Sequence, residues 1–397
     1  MQWDIFCEVI DNYGDAGVCW RLAQDLTQRG EAVRLWMNDV SILSWMVDSN
    51  DADSLQVGSW DDALKCPMPL PDVLIEAFGC EIPQPYLHDL REQCTQSTIV
   101  QPVWLNLEYL SAELYVERMH GLPSPVMSGV ASRWCKHFFY PGFTPKTGGL
   151  LREQNLLARQ KIWDEKKWRS ELLGRAGLSQ DLSHQAQWLS LFSYEAMALQ
   201  QWLEHLVNGS QETVLLVAAG RSQRAFEKVW QRLYGQAETL LLQADEAASV
   251  RTVRRGCCTA LLLPFVPQVA FDAVLWSSDL NVVRGEDSLV RALWAGKPFV
   301  WHIYPQHDQA HHAKLDAFLD WMNAPSAIRR VFHAWNTEGG QQTFDGVWRD
   351  VWDVPAQRQA WQAVVHDCRE RLEQQDDLVS QLQRYARQLA CVSSGTD

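Results

Sequence analysis

The sequence predicts an α/β protein with two domains in tandem, each built on a parallel sheet flanked by helices. The chain has 397 residues, which exceeds one ordinary core because domains commonly hold about 150 residues each. Short apolar runs alternate with stretches of helical periodicity, and this alternation is typical of parallel β-α-β units. The alternation restarts near residue 187, after a Pro- and Gly-rich segment at 121–150 and a charged helical stretch at 152–174.

The first half opens with a strand at 3–10, a turn containing glycines, a helix at 17–29 ended by Gly30, and a strand at 32–37. This opening is typical of a nucleotide-binding fold, although the turn lacks the full G-x-G-x-x-G of a dinucleotide site. The segment 121–150 is predicted to form long loops because it has little periodicity. The other elements predicted in this half are strands at 72–77 and 98–104 and helices at 41–48 and 84–94.

The second half repeats the alternation and ends in one or two long helices. The predicted strands are 187–193, 213–218, 238–243, 259–265, 280–283 and 299–303. The predicted helices are 196–207, 221–233, 267–276, 287–295 and 308–322. We therefore predict an N-terminal domain over 1–151, a linker and helix over 152–184, a second domain over 185–358 and C-terminal helices over 359–397. A cleft is expected between the two domains, because the loops of each open at the carboxyl edge of its sheet.

The composition excludes several classes of partner. A formal net charge of −14 argues against nonspecific binding to nucleic acids or anionic membranes and permits a basic protein partner. The ten cysteines are scattered without a C-x-x-C pair, which predicts reduced thiols in a cytoplasmic protein. The first residues are acidic by Asp4, unlike a signal peptide, and the chain has no run of about 18 apolar residues that would span a membrane.

The segment 280–306 carries the strongest local pattern, a strand, a polar turn, a helix and a second strand. Asp287 and Ser288 are good N-cap residues, and the N–H groups of a helix start form an anion site. Arg284 and Glu286 belong to the same turn, at the sheet edge where open parallel sheets bind ligands. From this segment alone, a capped helix with solvated charges is an equal alternative.

The loop after the first strand contains two carboxylates, Asp11 and Asp15, beside Gly14 and Gly17. Aspartates at the edge of a parallel sheet can serve in catalysis. The alternative is ordinary turn chemistry, because Asp caps helices and tolerates unusual backbone angles.

Four segments together resemble a known family. They are DNYGDAGVCWRLAQDL (11–26), FSYE (192–195), PFVPQVAFD (264–272) and RGEDSLVRALWAGKPFVWHIYPQ (284–306). In this order they resemble the bacterial protein-arginine rhamnosyltransferases of the EarP family, which modify translation elongation factor P. The resemblance implies a GT-B glycosyltransferase with two facing Rossmann-like domains, and C-terminal helices that pack back on the first domain. It also implies dTDP-β-L-rhamnose as donor, inversion at the anomeric carbon, and an arginine of the factor as acceptor.

The resemblance also implies site residues. The proposed catalytic carboxylate falls on Asp15, with Asp11 as a second important acid. Donor contacts fall on Glu286, Asp287 and Ser288, with Glu286 essential. The thymidine and donor pocket falls on Phe192, Tyr194, Gln268 and Phe271.

Physical chemistry limits these roles. Deprotonating arginine with an ordinary aspartate before attack would cost about 12–13 kcal/mol, so Asp15 is expected to orient the guanidinium and take its proton during or after bond formation. Asp11 would hold the second edge of the guanidinium or steady the loop. A carboxylate repels phosphate, so Glu286 is expected to accept hydrogen bonds from ribose or sugar hydroxyls. Arg284 could neutralise the leaving diphosphate or form a structural pair with Asp287.

Two weaker motifs are interpreted as structural features and not as metal sites. Asp51 and Asp53 spell D-x-D, a metal-binding motif of other glycosyltransferases, but no apolar strand precedes them. His307 and His311 have metal-ligand spacing but no evident third ligand, so a helix surface is predicted. No metal or other cofactor is expected. The alternatives to the predicted transferase are a nucleotide-sugar enzyme with another acceptor, an epimerase, and a non-catalytic protein that binds a translation factor.

Overall fold

The structure is a computed structural model that describes residues 1–9, 13–47, 55–97, 101–235, 250–305, 310–337 and 343–394. The chain divides into two compact units. Unit 1 comprises Met1–Leu156 and Arg371–Asp397, and unit 2 comprises Leu157–Glu370. Within the described ranges, every helix is too short or too polar to cross a membrane.

Strands and helices alternate through most of the described chain. The strands are β1 (Gln2–Cys7), β2 (Ala32–Met37), β3 (Gln56–Ser59), β4 (Val73–Ala77), β5 (Val103–Leu107), β6 (Pro123–Pro125), β7 (Cys135–Phe139), β8 (Gln187–Leu191), β9 (Thr213–Val217), β10 (Arg251–Arg255), β11 (Cys258–Leu262), β12 (Leu280–Arg284) and β13 (Phe299–His302). The helices are α1 (Gly14–Gln28), α2 (Leu43–Met46), α3 (Gln84–Gln96), α4 (Tyr115–Met119), α5 (Leu156–Lys161), α6 (Glu165–Arg175), α7 (Leu182–Gln185), α8 (Ala198–Asn208), α9 (Arg221–Tyr234), α10 (Gln268–Trp276), α11 (Asp287–Ala295), α12 (Ala310–Trp321), α13 (Ser326–Asn336), α14 (Phe344–Val351), α15 (Pro355–Glu373) and α16 (Leu378–Ser394).

The sheet of unit 1 has the strand order β3-β2-β1-β4-β5-β7-β6. The strands pair in parallel except for β6, which pairs antiparallel with β7. Most side chains of its central strands are apolar on both faces because each face is covered by a layer of packed side chains. The strand order reverses between β1 and β4, and the carboxyl ends of strands at such a reversal are where open sheets bind ligands.

The sheet of unit 2 has the order β10-β11-β9-β8-β12-β13, with only the β10–β11 pair antiparallel among the described strands. Its order reverses between β8 and β12. The loops after these two strands therefore meet at the edge where a ligand is expected. They carry the FSYE and RGEDS motifs, respectively.

The last helix belongs to unit 1. Leu378, Val379, Leu382 and Ala386 of α16 join the apolar core formed by β1 and α1. Arg29 at the end of α1 binds Asp377 at 2.8 Å, just before α16 begins. Most of the linker predicted over 152–184 lies in unit 2, because α6 packs into that unit's core. The chain therefore leaves unit 1 after residue 156 and returns to it at residue 371.

Several predicted elements differ from the observed ones. The segment 121–150, predicted as loops, contains β6 and β7, and β10 was not predicted either. Polar residues hide these strands in the sequence: Lys136 of β7 is neutralised by Glu76 at 2.7 Å and lies 4.5 Å from the ring centre of Trp104. The helix predicted at 152–174 is two helices, α5 and α6, because Asp164 caps the start of α6. The strand predicted at 238–243 lies outside the described residues.

One pH-dependent contact joins α8 to α14 and the turn that follows it. His205 lies between Asp353, 3.2 Å from its Nε2, and Asp345, 2.8 Å from its Nδ1, and these carboxylates raise the pKa of His205 above its ordinary value. A raised folded-state pKa gives stability below the unfolded pKa of about 6.5, and this stability is lost as the pH rises through the folded value.

We expect the contacts of His205 with Asp345 and Asp353 to weaken as the pH rises from about 6 to 9. The free energy of unfolding should fall by up to about 1 kcal/mol as a result. The variant His205→Gln should lose this component of the pH dependence, as measured by urea unfolding at stepped pH. His184→Gln is the control, because His184 is exposed on α7. An unchanged pH profile in His205→Gln would contradict the assignment.

Candidate active site

The predicted donor-binding residues of unit 2 come together at the carboxyl edge of its sheet. They are Phe192 and Tyr194 after β8, Gln268 and Phe271 in α10 after β11, Arg284 at the end of β12, and Glu286, Asp287 and Ser288 at the start of α11. Ser193 separates the two aromatic residues and is fully buried. The Ser222 hydroxyl accepts a hydrogen bond from the Ser193 N–H at 2.8 Å and donates one to its carbonyl, which fixes the end of β8 against α9.

Arg284 is the centre of this cluster. Its Cζ lies 4.7 Å from the ring centre of Phe192 and 4.8 Å from that of Tyr194. Phe192 in turn meets Phe271 edge-on at 5.2 Å. Burial lowers the pKa of Arg284, yet the group remains a cation because the pKa of arginine starts near 12.5. Within the described residues, its buried Nη1 has no hydrogen-bond acceptor, so a ligand oxygen could bind there.

The turn between β12 and α11 is held by hydrogen bonds to its backbone. Ser288 is 4% exposed, and its hydroxyl accepts from the Arg284 N–H at 3.1 Å and donates to the Arg284 carbonyl. Trp301 Nε1 donates to the Gly285 carbonyl at 2.8 Å, and Gly285 has a φ of 65°, which favours glycine. The hydroxyl of Ser288 therefore closes the turn in this structure, and its contact with the donor stays a prediction.

Glu286, rather than Asp287 or Ser288, occupies the N-cap position of α11. Its carboxylate binds Lys314 of α12 at 2.6 Å, and both side chains are about one-quarter exposed. This ion pair holds the carboxylate at the edge of the cluster. An anion held in this way can accept hydrogen bonds from ligand hydroxyls.

Sequence reasoning missed three residues of this cluster. His302, at the end of β13, is 4% exposed and meets Tyr194 edge-on at 5.3 Å. Burial lowers its pKa to about 3, so His302 is neutral at physiological pH. Arg221, the first residue of α9, binds Glu195 at 2.6 Å and lies 5.2 Å from the ring centre of Tyr194. Glu195 is the last residue of the FSYE segment and follows Tyr194 directly, whereas no motif pointed to Arg221.

In unit 1, Asp15 lies in the first turn of α1 and not in the preceding loop, because the helix begins at Gly14 instead of residue 17. The predicted loop glycines, Gly14 and Gly17, are therefore both helical. Tyr109, after β5, donates a hydrogen bond from its hydroxyl to Asp15 Oδ2 at 3.2 Å. A helix start favours negative charge, so this position suits an ionised carboxylate. Asp11 lies outside the described residues.

Two aromatic pairs lie at this end of the unit 1 sheet, and one of them includes Tyr109, which contacts Asp15. Tyr109 is 42% exposed and lies 5.0 Å from Phe78, which follows β4. Tyr13 is 45% exposed and meets Trp45 edge-on at 5.1 Å. Exposed aromatic faces beside a carboxylate suit a planar cation such as a guanidinium.

Of the four residues in the two weaker motifs, the structure describes only His311. Asp51, Asp53 and His307 lie outside the described residues. His311 is 9% exposed, so the predicted helix surface is wrong for this residue, whose ring centre lies 4.1 Å from that of His312 with the planes tilted by 37°. The described part of the chain has no group of three or more His, Cys, Asp and Glu side chains placed to hold a metal ion.

The chain has the GT-B glycosyltransferase fold, with two parallel-dominated α/β sheets and polar residues at their carboxyl edges. A glycosyltransferase from Rickettsia africae shares this fold, with a TM-score of 0.55, 8% identity, and coverage of 100% of this chain and 99% of its own. The family is shown by sequence: residues 3–387 match the model of the "Elongation-Factor P (EF-P) rhamnosyltransferase EarP". The chain belongs to this family and is a rhamnosyltransferase.

Curated relatives and a solved structure agree with the family match. The chain is 42% identical over 407 residues to a protein-arginine rhamnosyltransferase of Pseudomonas putida, with 97% of this chain and 98% of the relative covered. It is 38% identical over 376 residues to the protein of that name from Pseudomonas aeruginosa, with 91% and 94% covered. A solved structure described as the basis for EarP-mediated arginine glycosylation of elongation factor EF-P has 31% identity, a TM-score of 0.61 and coverage of 98% and 99%.

Proposed function

We propose that this rhamnosyltransferase moves L-rhamnose from dTDP-β-L-rhamnose to an arginine side chain of translation elongation factor P, with inversion at the anomeric carbon. The match to the EarP family over residues 3–387 carries this proposal. The modified factor would act in the rescue of ribosomes stalled on polyproline sequences. The identities of the acceptor and the sugar are inferred from the family. The roles in binding and proton transfer are inferred from the residues at the carboxyl edges of the two sheets.

In unit 2, the donor would bind at the carboxyl edge of the sheet. Phe192 and Phe271 offer aromatic faces to the thymine, and Gln268 can read the edge of the base. The guanidinium of Arg284 and the N–H groups at the start of α11 would hold the diphosphate. Because these groups supply the positive charge that the leaving group needs, we expect no metal cofactor.

In unit 1, Asp15 would bind the acceptor. An ionised aspartate forms a charge-assisted pair with guanidinium and orients one nitrogen toward the anomeric carbon. As that nitrogen forms its bond to C1, the bond from C1 to the diphosphate oxygen breaks and dTDP departs. The proton that the nitrogen loses passes to Asp15 during or after bond formation, when the nitrogen has become acidic. Tyr109 would hold Asp15 in position through its hydrogen bond.

An intact-mass experiment tests the whole proposal. The protein is incubated with dTDP-rhamnose and elongation factor P of the same organism, and a matched factor with its acceptor arginine replaced by lysine is the control. We expect one deoxyhexose on the wild-type factor and none on the lysine variant. Release of dTDP without modification of the factor would favour another acceptor. Binding of the factor without release of dTDP would favour a non-catalytic binding protein.

Glu286 provides a narrower test. We expect Glu286→Gln to weaken donor binding about tenfold to a hundredfold, because a carboxylate accepts hydrogen bonds from sugar or ribose hydroxyls more strongly than an amide does. Binding of elongation factor P should remain intact. Both affinities can be measured by isothermal titration calorimetry, with Glu171→Gln as an exposed control in the same unit. Loss of factor binding with unchanged donor affinity would contradict the assignment.

A further inference from the structure

Two guanidinium groups converge on one aromatic ring in unit 2. The Cζ atoms of Arg221 and Arg284 lie 5.2 Å and 4.8 Å from the ring centre of Tyr194. Burial lowers the pKa of Arg284, and like-charge repulsion from Arg221 and Arg224 lowers it further, while Tyr194 and Glu195 act in the opposite direction. Such a concentration of positive charge is unfavourable by itself and becomes favourable when an anion binds.

Some polar groups around the Tyr194 ring have hydrogen-bond partners, and others do not. Glu195 binds Arg221, with contacts of 3.2 Å to its Nε and 2.6 Å to its Nη2. Among the described residues, Nη1 of Arg284 and Nδ1 of His302 are buried without a hydrogen-bond partner. A buried donor without an acceptor costs free energy, and a ligand with several acceptor oxygens would remove that cost.

Glu195 and Arg221 are also accessible enough to exchange partners. Their side chains are 57% and 36% exposed, respectively, and exposed ion pairs contribute little to stability. Arg221 begins α9, a helix of 14 residues, and follows Gly220, whose φ of 86° turns the chain at the end of β9. The guanidinium therefore stands at the carboxyl edge of the sheet, beside the turn that carries Arg284.

We propose that Arg221 is a second cation of the donor site, which binds the diphosphate alongside Arg284 and exchanges Glu195 for a phosphate when the donor binds. A diphosphate offers two charged groups, and two guanidinium groups over one ring match this pattern. Glu195 therefore acts as an internal competitor: it keeps Arg221 oriented and also makes donor binding weaker than it would be without the carboxylate.

Calorimetric titration with dTDP and with thymidine tests this role, because the two probes differ only in the diphosphate. We expect Arg221→Ala to weaken dTDP binding about tenfold to a hundredfold and to leave thymidine binding unchanged. Arg221→Lys should recover part of the affinity, and Glu195→Gln should strengthen dTDP binding by up to about fivefold. Arg251→Ala is the matched control, because Arg251 also forms a half-exposed ion pair in unit 2, with Glu227 at 2.6 Å.

The outcomes separate this role from the proposed function on which it rests. If wild-type protein binds dTDP and Arg221→Ala binds it equally well, the role of Arg221 is overturned while the donor assignment stands. Equal losses for dTDP and thymidine would also overturn it, since Arg221 would then only support the Tyr194 ring. If wild-type protein binds no dTDP, the proposed donor itself is wrong.

Discussion

Replacing Asp15 with asparagine is expected to lower kcat for rhamnosyl transfer by about 10²–10⁴-fold. Asparagine cannot take the proton of the reacting nitrogen, and it loses the charge that pairs with the guanidinium. The proposed dTDP contacts all lie in unit 2, so the affinity for dTDP should not change. Single-turnover reactions followed by intact mass of elongation factor P measure the rate, and calorimetry measures the affinity.

Two further variants serve as a comparison and a control for Asp15→Asn. Tyr109→Phe removes the 3.2 Å hydrogen bond to Asp15 without removing the carboxylate, so a smaller loss of kcat is expected. Asp39→Asn removes a carboxylate of unit 1 that binds Ser41 at the protein surface, and it should react like wild type. Wild-type kcat in Asp15→Asn would refute the catalytic role, whereas a shared loss in Asp39→Asn would indicate a general effect of net charge.

The second large effect concerns the ion pair between α10 and α11. Asp272 binds Arg291 through two contacts, 2.9 Å to Nε and 2.7 Å to Nη2, and each side chain is 1% exposed. Replacing Asp272 with alanine would leave a buried cation without its carboxylate. We therefore expect the free energy of unfolding to fall by about 3–5 kcal/mol. Urea unfolding followed by tryptophan fluorescence measures this loss.

The Asp272–Arg291 pair can also show whether the loss of stability comes from the buried charge or from lost packing. A double replacement, Asp272→Leu with Arg291→Met, removes both charges together, and most of the stability should return because apolar residues can fill a buried site. Asp320→Ala breaks the exposed pair with Arg329 and should change the free energy by no more than about 1 kcal/mol. A double variant as unstable as Asp272→Ala would show that packing, and not the buried charge of Arg291, causes the loss.

Local patterns predicted the elements whose amphipathic or apolar character is strong. The helix at 287–295 has the predicted bounds, because its apolar residues share one face and Gly296 ends it with a φ of 68°. The strand at 32–37 also has the predicted bounds. Strand β7 was missed because Lys136 depends on Glu76, a residue 60 positions away that no local pattern reveals.

Some residues of the candidate site could likewise be predicted from local patterns, and others could not. Motifs brought Phe192, Tyr194 and Arg284 to attention, and the structure places both rings on one guanidinium. His302 could not be found, since a histidine at the end of an apolar strand looks like any other core position. Arg221 depends on the pairing of β8 with β9, which brings together residues 26 positions apart. The hydroxyl of Ser288 was assigned to a ligand because the sequence does not show that the turn's own backbone engages it.

The return of α16 to unit 1 has a consequence for how the protein is made. Unit 2 is an insertion within unit 1, and the residues of α16 that complete the first core are synthesised after the whole of unit 2. Synthesis runs from the N-terminus, so unit 2 has its full sequence available for folding before unit 1 does. During that interval, α16 does not yet cover the part of the first core on the side of the sheet where α1 packs. A nascent chain released before Leu378 would lack the helix that covers this surface, and would be prone to aggregation.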